Sequence, residues 1–146
     1  MATKEEILKK YWGYDSFREC QAEIIDSVLG GHDTLGLLPT GGGKSITFQV
    51  PAMMLAGLTI VVTPLISLMK DQVDNLRQRG IKAACLHSGM ARAEQRLTLD
   101  RLDLGITKIL YVSPEKIAVA DFRLKLSAWD VSLIVVDEAH CISQWG

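Results

Sequence analysis

Leu38-Pro39-Thr40-Gly41-Gly42-Gly43-Lys44-Ser45 is the stretch that decides the fold. The run Leu35 to Leu38 before it reads as a short buried strand, and Ile46 to Leu55 after it reads as the start of a helix. Strand, glycine-rich turn, Lys-Ser and helix together make a phosphate cradle. Gly41, Gly42 and Gly43 let the backbone wrap closely, with N–H groups turned inward on an anion. The following helix adds the positive end of its dipole. Lys44 is placed to reach the β- and γ-phosphates of a nucleotide, and the Ser45 hydroxyl to bind Mg2+. The usual pattern begins with a glycine where this chain has Leu38.

A second stretch converges on the same chemistry. Leu133-Ile134-Val135-Val136 is an apolar strand that ends in Asp137-Glu138-Ala139-His140. A mid-sheet strand does not ordinarily finish in two adjacent acids. Asp137, at the strand's carboxyl tip, is suited to hold Mg2+ directly or through water, and Glu138 to orient or deprotonate the attacking water. Ligands of open α/β sheets bind beyond the carboxyl ends of the strands, where a phosphate loop also lies. His140 either couples this site to a neighbouring domain or packs as a polar core residue.

Working outward, Thr3 with Glu6 and Ser16 with Glu19 have the spacing of capping boxes. They open one helix that Gly13 ends and another that carries Cys20, Ile24, Ile25 and Val28 on one face and stops at Gly30-Gly31. Pro51 should kink the helix after the phosphate loop or end its first segment. Strands are expected at Leu58–Thr63, Lys82–His87, Lys108–Val112 and Val131–Val136. Helices are expected between them. Ile66–Arg79 has Ile66, Met69, Val73 and Leu76 on one face, Ala91–Leu104 ends at Gly105, and Pro114–Trp129 is mostly helical. Alternating strands and helices imply a parallel sheet covered on both faces.

Composition is compatible with this and excludes several other classes. Apolar residues fill 48% of the 146 positions, charged residues 23%, and the net charge is −1, which supports a core and argues against disorder. No run approaches the roughly 18 apolar residues of a membrane span. Cys20, Cys85 and Cys141 are far apart, which argues against a zinc site or disulfide scaffold and fits a reducing compartment. A strong stand-alone nucleic-acid binder would be basic, and this chain is not.

Taken together, the motifs resemble those of superfamily-two helicases, and more closely of RecQ-type DNA helicases, over almost the whole chain. Leu38 to Ser45 resembles the family's nucleotide motif, in which the first glycine is commonly absent, and Asp137-Glu138-Ala139-His140 its DEAH motif. Tyr14-Asp15-Ser16-Phe17-Arg18-Glu19-Cys20-Gln21 is similar to the adenine-recognition segment. Thr63-Pro64-Leu65-Ile66-Ser67-Leu68-Met69-Lys70-Asp71-Gln72 and Tyr111-Val112-Ser113-Pro114-Glu115 are similar to motifs that lie along the nucleic-acid path. Cys141-Ile142-Ser143-Gln144-Trp145-Gly146 resembles the start of the aromatic-rich loop that links DNA binding to ATP hydrolysis.

The resemblance implies an α/β fold, a three-layer RecA-like P-loop NTPase domain with a mostly parallel sheet, truncated at its C-terminal side. Residues 1–146 would be the first RecA-like lobe, incomplete, with a helical adenine-recognition segment over 1–30 and the P-loop core over 34–146. ATP and Mg2+ would be held by Thr40, Gly41, Gly42, Gly43, Lys44, Ser45 and Asp137, with Lys44, Asp137 and Glu138 catalytic. The Gln21 amide would pair with the N6/N7 edge of adenine, Phe17 would stack on the base or pack in the core, and Arg18 would steady the segment. Pro64, Ser67, Ser113 and Trp145 would face DNA, although turn chemistry at the two prolines and burial of Trp145 are the plain alternatives. The rest of the lobe and a second lobe carrying an arginine for the ATP site are expected to lie outside the sequence, so the piece alone should bind ATP weakly and turn it over slowly. The resemblance further implies 3′-to-5′ DNA unwinding in repair and recombination, in bacterial cytoplasm or a eukaryotic nucleus, with no membrane association. A DEAD-box RNA helicase lobe is the near alternative, although it would carry Asp where His140 stands. A nucleotide-responsive binding module is the more distant one.

Overall fold

The computed structural model describes residues 3–17, 22, 25–26, 46–55, 57–64, 66–117 and 120–136. They group into two compact units, residues 1–56 and 57–146. The strand expected at Leu35–Leu38 and the helix expected after Ser16 lie outside the described residues, apart from Ala22, Ile25 and Asp26, of which Ile25 is fully buried.

In the first unit, α1 spans Lys4–Trp12 and α2 spans Ile46–Met54. The Thr3 hydroxyl accepts from the Glu6 N–H at 3.2 Å, which is one half of the expected capping box. Gly13 closes α1 in the left-handed conformation, where its N–H donates to the carbonyls of Leu8 and Lys9. α2 packs against α1 and buries Phe48, Gln49, Val50 and Ala52. It runs on past Pro51 to Met54, and the Leu55 N–H donates to the Pro51 carbonyl. The proline therefore does not terminate the helix. It removes one N–H from the ladder, and the burial of the helix around it offsets that loss.

The second unit is an α/β sandwich. Strands β1 (Leu58–Val62), β2 (Ala83–Leu86), β3 (Ile109–Val112) and β4 (Val131–Val136) form one sheet in the order β2-β3-β1-β4, with every pairing parallel. Helices α3 (Ile66–Gln78), α4 (Arg92–Asp103), α5 (Pro114–Ile117) and α6 (Ala120–Ala128) connect them. All of β1 and β3 is buried, as continuous β-branched runs in a sheet covered on both faces should be.

Alternation divides the layers. Leu58, Ile60, Val62, Ala84, Leu86, Leu110 and Val112 pack with Leu102 of α4, Phe122 of α6 and Trp129. Tyr111 points to the other face, where its hydroxyl meets Gln72 of α3. Phe122 and Trp129 meet edge to face at 5.6 Å, and the Trp129 indole N–H donates to Asp103 at 2.8 Å, so the ring's polar edge is satisfied.

Both long helices end where glycine allows. Gly80 (φ 86°) follows α3 and Gly105 (φ 73°) follows α4, and the next N–H in each case, Ile81 and Ile106, reaches back five residues to a helix carbonyl. The apolar spacing is only partly a core face. Met69, Val73 and Leu76 are buried, but Ile66 is 44% exposed because the first turn of α3 projects beyond the end of β1. On α4, Leu102 is buried while Leu97 and Leu104 are exposed.

One irregularity sets the sheet's alignment. Leu58 pairs with Val131 but Thr59 pairs with Leu133, so Ser132 is the extra residue of a bulge. Its hydroxyl accepts the Gly57 N–H at 2.8 Å, the Leu58 N–H donates to the Asp130 carbonyl at 2.7 Å, and the Lys108 ammonium donates to the Gly57 carbonyl at 3.2 Å. Burial lowers the Lys108 pKa, and the Asp130 carboxylate opposes that shift.

Candidate nucleotide and nucleic-acid site

Because every pairing is parallel, all four strands end at one edge of the sheet. In such sheets the carboxyl ends are where ligands bind. The register aligns Leu86, Val112, Val62 and Val136 across that edge. Ties continue past the strands: the Thr63 N–H donates to Val112 at 3.0 Å and the Ser113 N–H to Leu86 at 3.3 Å. The chain beyond β1 is Thr63-Pro64, beyond β3 Ser113-Pro114, and beyond β4 Asp137-Glu138.

Pro64 is half-buried and Ser67, in the first turn of α3, is exposed, so both stand at the strand-tip edge. Ser113 differs from the exposed contact expected of it. It is 1% accessible, its N–H is engaged with Leu86, its carbonyl receives the N–H groups of Lys116 and Ile117, and its hydroxyl oxygen has no hydrogen-bond partner among the described residues. A residue that ties β3 to β2 and starts α5 is covered by that role. Phe17 is half-buried at the end of the first described segment. Arg18, Gln21, Thr40, Gly41, Gly42, Gly43, Lys44, Ser45, Asp137, Glu138, His140 and Trp145 lie outside the described residues.

Three side-chain links at this edge carry no motif signal. The Tyr111 hydroxyl, on a ring 1% exposed, bonds the Gln72 side-chain oxygen, joining the two segments that sequence assigns to the nucleic-acid path. Gln95 of α4 receives the Lys116 ammonium at 2.9 Å and gives its own amide N–H to the Met90 carbonyl at 2.9 Å, fixing the loop after β2 to α5. His87 accepts the Gly89 N–H at Nδ1, which shapes the same loop. Such pairs join positions 21 to 39 residues apart, and only the fold brings them together. Among the described residues no group of His, Cys, Asp or Glu is gathered to hold a metal ion.

An all-parallel sheet with its strand tips on one edge is the α/β class that takes ligands at that edge. The sequence matches the DEAD/DEAH box helicase family over residues 18–146, and the chain belongs to that family. It is homologous to the helicase domain of RecQ proteins. It is 49% identical over 144 residues to the ATP-dependent DNA helicase RecQ of Pasteurella multocida, covering 99% of this chain and 23% of the relative. It is also 49% identical to that of Synechocystis, covering 97% and 30%, and 47% identical to that of Bacillus subtilis, covering 97% and 24%. The chain thus spans between about a quarter and a third of these relatives' length. Among solved structures, a hypothetical ATP-dependent RNA helicase from Sulfolobus tokodaii superposes with a TM-score of 0.74 at 25% identity, over 100% of this chain and 44% of that one.

Proposed function

We propose that this chain is the ATP-binding lobe of an ATP-dependent DNA helicase, working as part of a longer protein that separates DNA strands with 3′-to-5′ polarity in repair and recombination. The observation that carries the reading is near-half identity along almost the whole chain to RecQ DNA helicases, against 25% to the RNA helicase structure. The all-parallel sheet with its strand tips on one edge supports it physically. Gly41 to Lys44 cradle the phosphates, Gln21 reads adenine with Phe17 and Arg18 beside it, and Glu138 orients the attacking water. Ser45 and Asp137 hold Mg2+, which neutralises phosphate charge when bound. Pro64, Ser67 and Trp145 face DNA, and Ser113 contributes by fixing the tip of β3. The second lobe of the longer protein supplies an arginine worth on the order of a thousandfold in phosphoryl transfer, so this piece alone turns over slowly. No helix among the described residues is long and apolar enough to cross a membrane, and the cytoplasm, or the nucleus in a eukaryote, is the compartment that fits.

Calorimetry with Mg2+ and ATP, with GTP and Lys44→Ala as controls, tests the nucleotide half. ATP binding lost in the variant is expected, and equal binding of GTP would refute the role of Gln21. Stimulation of ATP hydrolysis by DNA but not RNA in the longer protein tests the other half. The reverse preference would favour an RNA helicase.

A further inference from the structure

A cavity of about 390 Å³ lies at the opposite end of the second unit from the strand tips, along the outer edge of β2. Arg77 from the last turn of α3, Lys82 just before β2 and Arg101 from the last turn of α4 line it, and no carboxylate does. Arg77 donates from Nε to the Ala83 carbonyl at 2.9 Å, which leaves its two terminal nitrogens free to face an anion. Lys82 and Arg101 are exposed and make no ion pair among the described residues.

Further polar groups share the cavity. Thr107 lines it, as does Thr98, whose hydroxyl already donates to the Glu94 carbonyl at 3.0 Å. The Lys82 carbonyl faces β3, where it accepts the N–H groups of Lys108 and Ile109, so alternation turns the Ala83 N–H outward to the edge that pairs with no strand among the described residues. Basic residues in last turns offset helix dipoles, and that accounts for Arg77 and Arg101 singly. It does not account for Lys82, which is on no helix, nor for the convergence of all three.

A second groove of this unit has a different lining. It holds Arg92, Arg96 and Lys125, but also Asp100 and Asp103, and Lys125 already sits 3.7 Å from Asp103. Of these two, the β2-edge cavity presents cations with no carboxylate among its lining residues, in a chain whose net charge is −1.

We propose that this cavity is a second nucleic-acid contact, which takes backbone phosphates of duplex DNA at the end of the sheet remote from the strand tips. It rests on the DNA reading above. The four residues of β2 at about 3.3 Å each place it about 13 Å from the tips. That is close to the roughly 12 Å width of the B-form major groove, so phosphates of the two strands that face one side of a duplex match the separation. Cations with hydroxyl and backbone N–H donors suit phosphodiester oxygens and carry no base readout, so the contact is independent of sequence.

The test is anisotropy of a short fluorescein-labelled duplex titrated with the protein over a series of salt concentrations. Lys82→Gln/Arg101→Gln leaves Arg77 and its bond to Ala83 intact. Lys9→Gln/Lys10→Gln removes the same charge from exposed positions on α1 and serves as the control. Loss of two phosphate contacts should lower the slope of log affinity against log salt by about 1.8 in the pocket variant, each single change giving about half, and by clearly less in the control. Equal slopes in the two double variants, with DNA still bound, would overturn the pocket and leave the DNA reading standing. Failure of the unaltered protein to bind duplex or single-stranded DNA, with its melting transition intact, would overturn both.

Discussion

Gly57→Ala is the sharpest single test of how the second unit is built. A Cβ at Gly57 would lie 2.3 Å from the Asp130 carbonyl oxygen and 2.4 Å from the Ser132 hydroxyl, well inside van der Waals contact. Neither atom is free to retreat. The Asp130 oxygen holds the Leu58 N–H at 2.7 Å, and the Ser132 hydroxyl holds the Gly57 N–H at 2.8 Å. Relief must come from moving the backbone at the bulge. Overpacking of this kind costs about 1–3 kcal/mol, and weakening one of the two hydrogen bonds adds about 1 kcal/mol. Alanine's smaller unfolded-state entropy returns about 0.4–1 kcal/mol. The net loss is about 1–3.5 kcal/mol. A chain of this length unfolds with an entropy of about 0.3 kcal/mol/K, so the melting temperature should fall by about 3–12 °C. Circular dichroism melts and urea midpoints, with unchanged urea slope, measure it. Ser132→Ala in the same background should recover only part of the loss, because the carbonyl clash remains. A Gly57→Ala protein melting within a degree of the parent would refute the close approach, and with it the bulge.

Tyr111→Phe removes the hydroxyl that joins β3 to Gln72 and should cost about 1 kcal/mol in urea unfolding; a stabilised variant would show the bond is not made. Burial pushes the Cys85 thiol above its ordinary pKa, with the Arg77 guanidinium opposing. The folded state then keeps its proton while the unfolded thiol loses it, so this contribution is full below about pH 9 and lost as pH rises further. Urea midpoints of Cys85→Ala should therefore decline less steeply above about pH 9 than those of the parent, and identical alkaline slopes would contradict the shift. Gln21→Ala should lose the preference for ATP over GTP in calorimetry while keeping part of the phosphate-dependent binding; undiminished preference would move adenine recognition elsewhere.

The sequence carried the layers well because their signals are local. Leu58 to Val62 and Ile109 to Val112 are unbroken apolar runs, and both proved fully buried central strands. Gly105 marked a helix end because a left-handed residue is needed there, and Gly80 closes α3 in the same way. What sequence left open depends on where an element stops relative to its neighbours. Ile66 has core spacing but extends past the sheet, and Ser113 sits at a tip yet is closed over by β2 and α5. Ser132, a polar residue in an otherwise apolar strand, is the extra residue of a bulge. The links Tyr111–Gln72 and Lys116–Gln95–Met90 have no local signature. The nucleotide motifs were legible as chemistry, but Lys44, Asp137 and their neighbours lie outside the described residues.

The bulge gives the β1–β4 pair a functional meaning. From Thr59 onward the ladder is regular, and Val62 stands level with Val136. The two chains therefore leave the sheet side by side, one into Thr63-Pro64 and the other into Asp137-Glu138. Without the extra residue at Ser132, a one-residue slip would turn each following side chain of β4 to the opposite face. It would also change which residue stands at the carboxyl edge. On the DNA helicase reading, the first of these exits leads to nucleic acid and the second to the hydrolytic acids. Adjacent parallel strands make a stiff connection between them, because moving one rung strains the whole ladder. The tie from Thr63 to Val112 and the tie from Ser113 to Leu86 extend that connection across the sheet to β2. The carboxyl ends of β4, β1, β3 and β2 are thus held level by hydrogen bonds that the sheet makes.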